Sequence, residues 1–330
     1  KLLNKIETHR YYWKASGYIN EDLDKPLGSP IGLISTALAT LLPPLFIAYE
    51  DKTSYLFAMI ILSIISFIMF IISLPGSRED EELIKCAQEF AQQSEKRTSF
   101  LHALKKTTQY KNFLAYLVAY LAFHSLTTIM IASLPYIVPF ILNLKSEYES
   151  VISAGLLIGQ LLGIPVMFLI MKRYGHKKLF LFGIIWAVIS LFPLIFLNDL
   201  IGISVNIAIV GFGVSSLYLG NQLIFSDCID EIVVDTEKRE EGVFLGIRTF
   251  VVRLSVIVQA VTFTLVSLIS GFDPEVGTDP DLAGFWGLKI QFAAVPLFIM
   301  LIAGIIFWKL YDLTPEKVRD NKAKLVELNL

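Results

Sequence analysis

The chain has 330 residues, of which 55% are hydrophobic and 18% charged, and its mean hydropathy is +0.63. Soluble domains carry about a quarter charged residues, so this composition excludes an ordinary soluble enzyme and a disordered chain. The net charge of −2 and the two cysteines give no reason to expect a nucleic-acid partner or a disulfide framework. We therefore predict an all-α polytopic membrane protein.

Long apolar segments follow one another along the chain. A helix that crosses a bilayer needs roughly 20 mainly apolar residues, and eight segments qualify: 30–49, 53–75, 112–142, 150–171, 178–197, 200–225, 246–270 and 287–311. The third contains Pro135 and Pro139 near its end, where we expect a kink or a tilt.

The basic residues between these segments predict the orientation of the chain. Segments 1–29, 76–111, 172–178, 226–248 and 309–330 hold 24 of the 28 Lys and Arg residues, whereas the alternate connections hold Lys52 and Lys145. Connections on the cytoplasmic side are enriched in Lys and Arg. Both termini of the chain and the segment 76–111 are therefore expected in the cytoplasm.

The hydrophilic segment 76–111 divides the predicted helices into two and six. We predict four regions: residues 1–75 with the last two helices of an N-terminal bundle, 76–111 as a central cytoplasmic loop, 112–311 as a six-helix C-terminal bundle, and 312–330 as a cytoplasmic tail. Because transporters are often built from repeated helical halves, we expect four further helices to precede residue 1.

Arg253 is a charged residue within a predicted span. Charged groups at membrane depth usually face a bundle interior or an aqueous cavity, and Arg253 shares a helix face with Thr249, Ala260, Thr264 and Ser267. This polar stripe predicts a cavity wall. The alternative is that Arg253 extends to the inner headgroups beside Arg248.

Asp227 and Asp230 share a helix face at the inner end of the span 200–225. They fit a solvated helix end, or a cytoplasmic gate that pairs them with Lys172 or Arg173. They also fit the magnesium–diphosphate motif of a membrane prenyltransferase, but that motif needs a further acid where Val234 stands.

Other polar groups within spans are better explained by helix packing. His124 could serve a proton-linked site, although a structural role is expected for such isolated residues. Gly155, Gly159 and Gly163 form a small-residue stripe that predicts a close helix–helix contact.

The run from Asp227 to Arg253 resembles the connection between the tenth and eleventh helices of the glycoside–pentoside–hexuronide:cation symporters, the melibiose-permease-like branch of the major facilitator superfamily. The similar pieces are Asp-x-x-Asp at 227–230, the run 238–242 (KREEG), and Thr-x-x-x-basic at 249–253. Segments 75–79, 172–178 and 313–317 are similar to further family motifs. The resemblance covers essentially the whole chain, as helices five to twelve of a twelve-helix bundle.

The resemblance implies roles for individual residues. Arg253 stands at the family's lysine of the eleventh helix, Thr249 at a sugar-contacting threonine, and Tyr218 at an aromatic residue that lines the sugar site. Arginine departs from the family's lysine, because it does not release a proton and binds bidentately. The implied cytoplasmic gate consists of Asp227, Asp230, Arg173, Lys172 and Arg239.

The expected function is cation-coupled symport of a sugar or glycoside by alternating access, in the cell membrane and as a monomer. No cofactor is expected. The coupling cation, Na⁺ or H⁺, would bind on helices that precede this chain. The alternatives are a carrier of lipid or another solute in the same superfamily, a prenyltransferase-like enzyme that uses Asp227 and Asp230, and a scaffold that transports nothing.

Overall fold

A computed structural model describes residues 52–73, 107, 109–237, 241–272 and 281–328. The chain divides into two compact units between Ser99 and Phe100. In the first unit the described element is α1 (Lys52–Ser73), whose apolar part covers Tyr55–Ile68. The predicted span 30–49 and most of the segment 76–111 lie outside the described residues.

The second unit is a helical bundle, and the described residues contain no β-strand. Its elements are α2 (Lys111–Phe140), α3 (Glu147–Tyr174), α4 (His176–Leu194), α5 (Leu200–Thr236), α6 (Glu241–Ser270), α7 (Leu282–Lys289), a π-helical turn (Ile290–Ala294), α8 (Val295–Leu310) and α9 (Pro315–Glu327). Helices α2 to α6 and the continuous stretch Leu282–Leu310 are long and apolar enough to cross a membrane. These six spans confirm the predicted all-α membrane fold in this part of the chain.

The helices differ in how much of their surface the unit buries. In the most apolar stretch of α2, 61% of the residues are buried, against 22% in α3 and 11% in α6. Helix α2 therefore lies at the core, whereas most side chains of α3 and α6 are at least partly exposed.

The predicted small-residue contact forms between α3 and α5. A Cβ atom at Gly159 would lie 1.9 Å from the carbonyl oxygen of Ala208, and one at Gly211 would lie 2.2 Å from that of Leu156. The two backbones approach too closely for any side chain at these positions. The prediction from Gly155, Gly159 and Gly163 is thereby confirmed.

Two helices extend beyond the apolar segments that predicted them. Helix α5 continues to Thr236, well past residue 225, because Ile229, Ile232 and Val233 still pack into the core. Helix α6 begins at Glu241 and not at 246, so that Arg248 lies two turns inside it. Hydropathy marks the part of a helix that suits lipid, but helical hydrogen bonding continues into the polar region.

Candidate functional site

Helix α6 carries two arginines that face different surroundings. They are five positions apart, which corresponds to about 140° around a helix and about 7.5 Å along it. Arg253 is exposed on the surface of the unit, whereas Arg248 is 8% exposed and points toward α2 and α5. The buried cation is therefore not the arginine that the sequence singled out.

Arg248 is held between two aromatic rings. Its guanidinium carbon lies 4.9 Å from the ring centroid of Tyr120 on α2 and 4.8 Å from that of Phe225 on α5. Nη1 donates a hydrogen bond of 2.7 Å to Oε1 of Gln222, while the buried Nε has no hydrogen-bond partner in the described structure. Attraction to ring faces stabilises a desolvated cation by about 2 kcal/mol or more.

The aromatic–arginine cluster comprises Tyr116, Tyr120, Gln222, Phe225 and Arg248. Tyr116 stacks on Tyr120 with centroids 5.4 Å apart and lies 5.7 Å from Phe225, and its buried hydroxyl has no partner among the described residues. Tyr116 and Tyr120 share one face of α2 because they are four positions apart. Two helices thus supply the rings, and a third supplies the cation.

Tyr218, a predicted substrate-binding residue, lies beside this cluster. Its ring packs edge-on against Phe123 at 4.9 Å, and His124 packs edge-on against Phe123 at 5.0 Å and Tyr120 at 4.5 Å. The structure therefore joins Tyr218 and His124 to the surroundings of Arg248.

Thr249 and Arg253, the other two predicted substrate-binding residues, share the exposed face of α6. The Thr249 hydroxyl donates to the carbonyl oxygen of Leu245 at 2.9 Å, one turn earlier in the same helix. These two residues therefore stand together on one face of α6.

Asp227 lies at the end of the bundle where α5 passes the start of α4. Its side chain is 2% exposed, and Oδ2 lies 2.6 Å from Nδ1 of His176, whereas Oδ1 has no partner in the described structure. Gly175, with φ of 81°, reverses the chain between α3 and α4 and places His176 at the first position of α4. The partner of Asp227 is thus His176 and not the expected Lys172 or Arg173.

Two other residues of the predicted gate, Lys172 and Arg173, each lie near an aromatic ring of α3. The Lys172 amine lies 4.7 Å from the ring of Phe168, and the Arg173 guanidinium lies 5.4 Å from that of Tyr174. Asp230 is half-buried and takes part in a further interaction, while Arg239 lies outside the described residues. The gate stays a prediction.

A network of polar contacts that the sequence did not predict joins α2, α5 and the segment after α8 at the same end of the bundle as Asp227. Asn112 donates to Glu231 Oε1 at 2.8 Å and to Asp312 Oδ1 at 2.9 Å, and Lys111 lies 2.6 Å from Asp312 Oδ2. Burial by itself raises the pKa of Asp312, but hydrogen bonds from Lys111, Asn112 and Lys317 outweigh that effect and lower the pKa to about 2. Residues 112 and 312 are so far apart in sequence that only the fold reveals this contact.

Arg248 was not predicted to be a site residue, because the count of Lys and Arg between spans placed it in the cytoplasmic connection 226–248. The recurrence of Tyr116, Tyr120 and His124 at spacing four on α2 is a signal of an aromatic face that could have been noticed. Nothing in the sequence, however, indicates which cation that face would meet.

The described residues contain no group of three His, Cys, Asp or Glu side chains that could hold a metal ion. The coupling-cation site is predicted on helices that would precede this chain, and it stays a prediction.

A family model described as MFS/sugar transport protein matches residues 28–315. The chain belongs to this family of the major facilitator superfamily, whose description is that of a transport protein and not of an enzyme. The prenyltransferase reading of Asp227 and Asp230 is therefore wrong.

Three individual proteins that resemble the chain are sodium-dependent lysophosphatidylcholine symporters. The chain is 23% identical over 283 residues to the sodium-dependent lysophosphatidylcholine symporter 1 of Gallus gallus, covering 84% of this chain and 52% of that protein. It is 20% identical over 281 residues to symporter 1-A of Danio rerio, at 84% and 51% coverage, and 23% identical over 283 residues to symporter 1 of Homo sapiens, at 84% and 50%. The chain spans about half the length of these relatives.

Proposed function

We propose that the protein is a sodium-coupled symporter of an amphipathic solute with an anionic group, such as a lysophospholipid, and that it works by alternating access. Two bundles would rock around a central site, and binding of solute together with cation would permit the transition. The sodium coupling and the lipid class extend to this chain what the names of its relatives say of them. The sugar reading becomes the second candidate.

The exposed face of α6 is the observation that carries this proposal. Between Gly242 and Ser270, Arg253 is the one exposed residue with a charge, and its exposed neighbours are mainly apolar, among them Phe250, Val256 and Ile257. A charge within an apolar wall suits a solute that has an ionic head and a hydrocarbon tail.

The hydroxyls on this face argue against a sugar. Three exposed hydroxyl groups lie there, and each donates to a main-chain carbonyl oxygen: Thr249 to Leu245, Thr264 to Ala260 and Ser267 to Phe272. A sugar ring needs several hydrogen bonds from its site, because desolvated hydroxyls without partners are costly. Hydroxyl groups that already donate to the main chain supply few of the hydrogen bonds that a sugar needs.

We further propose that Asp227 and Asp230, with Lys172, Arg173 and Arg239, close the cytoplasmic side of the transport path. Support comes from the 2.6 Å contact of the buried Asp227 carboxylate with Nδ1 of His176, since a buried carboxylate held by one partner can exchange it for another. Both termini of this chain would then be cytoplasmic, in a monomeric multi-pass protein.

Replacing Arg253 by Ala tests the proposed function. In proteoliposomes that contain the whole protein, sodium-driven uptake of lysophosphatidylcholine should fall at least about tenfold, which equals about 1.4 kcal/mol, because the anionic group loses its partner. Arg253→Lys should retain part of the uptake. The control is Lys145→Ala, which removes an exposed cation from the connection between α2 and α3.

Two results would contradict the proposal. One is lysolipid uptake by Arg253→Ala at the rate of the unaltered protein. The other is sodium-driven uptake of a disaccharide that an excess of lysolipid does not inhibit, which would restore the sugar reading.

A further inference from the structure

The aromatic–arginine cluster contains a buried cation that has no carboxylate partner among the described residues. The carboxylates of the described contacts meet Lys111 and Lys317 at Asp312 and His176 at Asp227, and none of these contacts includes Arg248. A buried charge is normally paired, because removal from water is unfavourable unless an opposite charge or hydrogen bonds replace the water. Two ring faces and one amide oxygen leave the charge of Arg248 only partly compensated.

We propose that this cluster is a phosphate-binding subsite that selects anionic over uncharged amphiphiles. The inference deepens the proposed function and rests on it for the identity of the ligand as a transported solute. A guanidinium with unused N–H groups binds phosphate oxygens in a geometry that an ammonium does not reproduce.

Unused hydrogen-bond donors support this assignment. The Nε of Arg248 and the hydroxyl of Tyr116 are both buried without a partner in the described structure. The guanidinium of Arg248 and the ring of Tyr116 both contact the rings of Tyr120 and Phe225, so the two residues belong to one cluster. Buried donors are nearly always satisfied in native proteins, so a ligand that accepts hydrogen bonds fits the cluster.

Gln222 is the member of the cluster that an approaching ligand would contact first. Its Oε1 accepts from Arg248, so its amide NH₂ group points away from the guanidinium, and the residue is exposed. An anion that approaches along Gln222 would meet a donor at the surface before it reaches Arg248.

The two arginines of α6 would then act in succession. Arg253 is exposed, where water and salt weaken its attraction for an anion, whereas Arg248 lies in a medium of low polarity in which the same charge interacts more strongly. Arg253 would attract the anionic group, and Arg248 would discriminate between charged and uncharged solutes.

Gln222→Glu is the sharpest test. The substitution preserves the shape of the side chain and places a carboxylate 2.7 Å from the position of Arg248 Nη1, so it supplies an internal counter-ion. Binding is measured by calorimetry on the whole protein in nanodiscs, with lysophosphatidate and with the monoacylglycerol of the same acyl chain. The unaltered protein should prefer lysophosphatidate at least about tenfold, and Gln222→Glu should reduce this preference to about twofold or less.

Arg248→Gln should have the same effect, and Tyr116→Phe a smaller one. Lys145→Gln, which removes a cation far from the cluster, should leave the preference intact. If Arg248→Gln does not fold, Gln222→Glu still decides, because a new ion pair should keep or raise the thermal stability. An undiminished preference for lysophosphatidate in Gln222→Glu would overturn the subsite, and so would equal losses of affinity for both lipids.

The outcome is separable from that of the proposed function. Selective binding that the variants abolish, without any uptake by the unaltered protein, would refute lysolipid transport but support the phosphate subsite. Uptake that does not distinguish the two lipids would support the transport of amphiphiles and refute the subsite.

Discussion

Asp312 illustrates how a single residue can fasten the end of a helical bundle. Its carboxylate accepts from Asn112 and pairs with Lys111 and Lys317, while its main-chain N–H donates to Asn112 Oδ1 at 2.7 Å. One short segment after α8 is therefore tied to the start of α2 and to the first turn of α9. Since these contacts favour the charged form, the pKa of Asp312 falls to about 2 from an ordinary value of 3.8.

Asp312→Asn should lower the free energy of unfolding by about 1 kcal/mol at pH 7, after allowance for solvent screening of this partly exposed group. The pKa is lower in the folded state, so the stabilisation is complete above pH 3.8 and is lost as the pH falls through about 2. Thermal unfolding in detergent at pH 7 and at pH 3 should show a smaller difference between variant and unaltered protein at the lower pH. A difference that grows on acidification would contradict this assignment.

The sequence predicts which residues lie on the same face of a helix, because their spacing along that helix is enough. Thr249 and Arg253 share an exposed face of α6, as their spacing predicts. The partner of Asp227 could not be predicted, because His176 reaches it only through the turn at Gly175 and the packing of α4 beside α5.

At the scale of helices, the contact between α3 and α5 depends on the absence of side chains. A Cβ atom at Gly159 would meet main-chain atoms of Ala208 and Phe212 within 3 Å. By contrast, a Cβ atom at Gly246, on the exposed side of α6, would meet nothing within 4 Å. The structure therefore has no room for a side chain at Gly159 but has room for one at Gly246.

Gly159→Ala should destabilise the protein by about 1 to 3 kcal/mol, because the methyl group forces the two backbones apart. Gly246→Ala is the matched substitution and should raise stability by up to about 1 kcal/mol, since alanine favours the helix and has room there. Unfolding in detergent, followed by circular dichroism, measures both. The interpretation fails if the two variants shift the midpoint in the same direction.

At the scale of the whole unit, the contacts bring together segments that the charge count assigned to one side of the membrane. Asn112 contacts Glu231 and Asp312, His176 contacts Asp227, and Lys177 donates to the carbonyl oxygen of Tyr311 at 2.6 Å. The start of α2, the turn before α4, the end of α5 and the segment before α9 therefore share one end of the bundle. At the other end, the Lys289 amine donates to the carbonyl oxygen of Leu197.

Cysteine labelling tests which end is cytoplasmic. In a background in which Cys86 and Cys228 are replaced by Ser, Lys145→Cys should react with a membrane-impermeant maleimide added to intact cells. Lys322→Cys, on the exposed side of α9, should react only after permeabilisation. The reverse pattern would refute the proposed orientation, and reaction of both in permeabilised cells is the control for accessibility.

The amino-acid sequence was sufficient to predict the class of fold, the approximate positions of the six described spans, the small-residue contact and the segments that share one end of the bundle. These features follow from hydropathy, side-chain size and charge along the chain, which are local properties that solvent and lipid act on directly. The folded bundle was needed to reveal which cation is buried, which partner Asp227 has and how Asn112 meets Asp312. Such contacts join residues on different helices, and the packing of those helices sets which side chains meet.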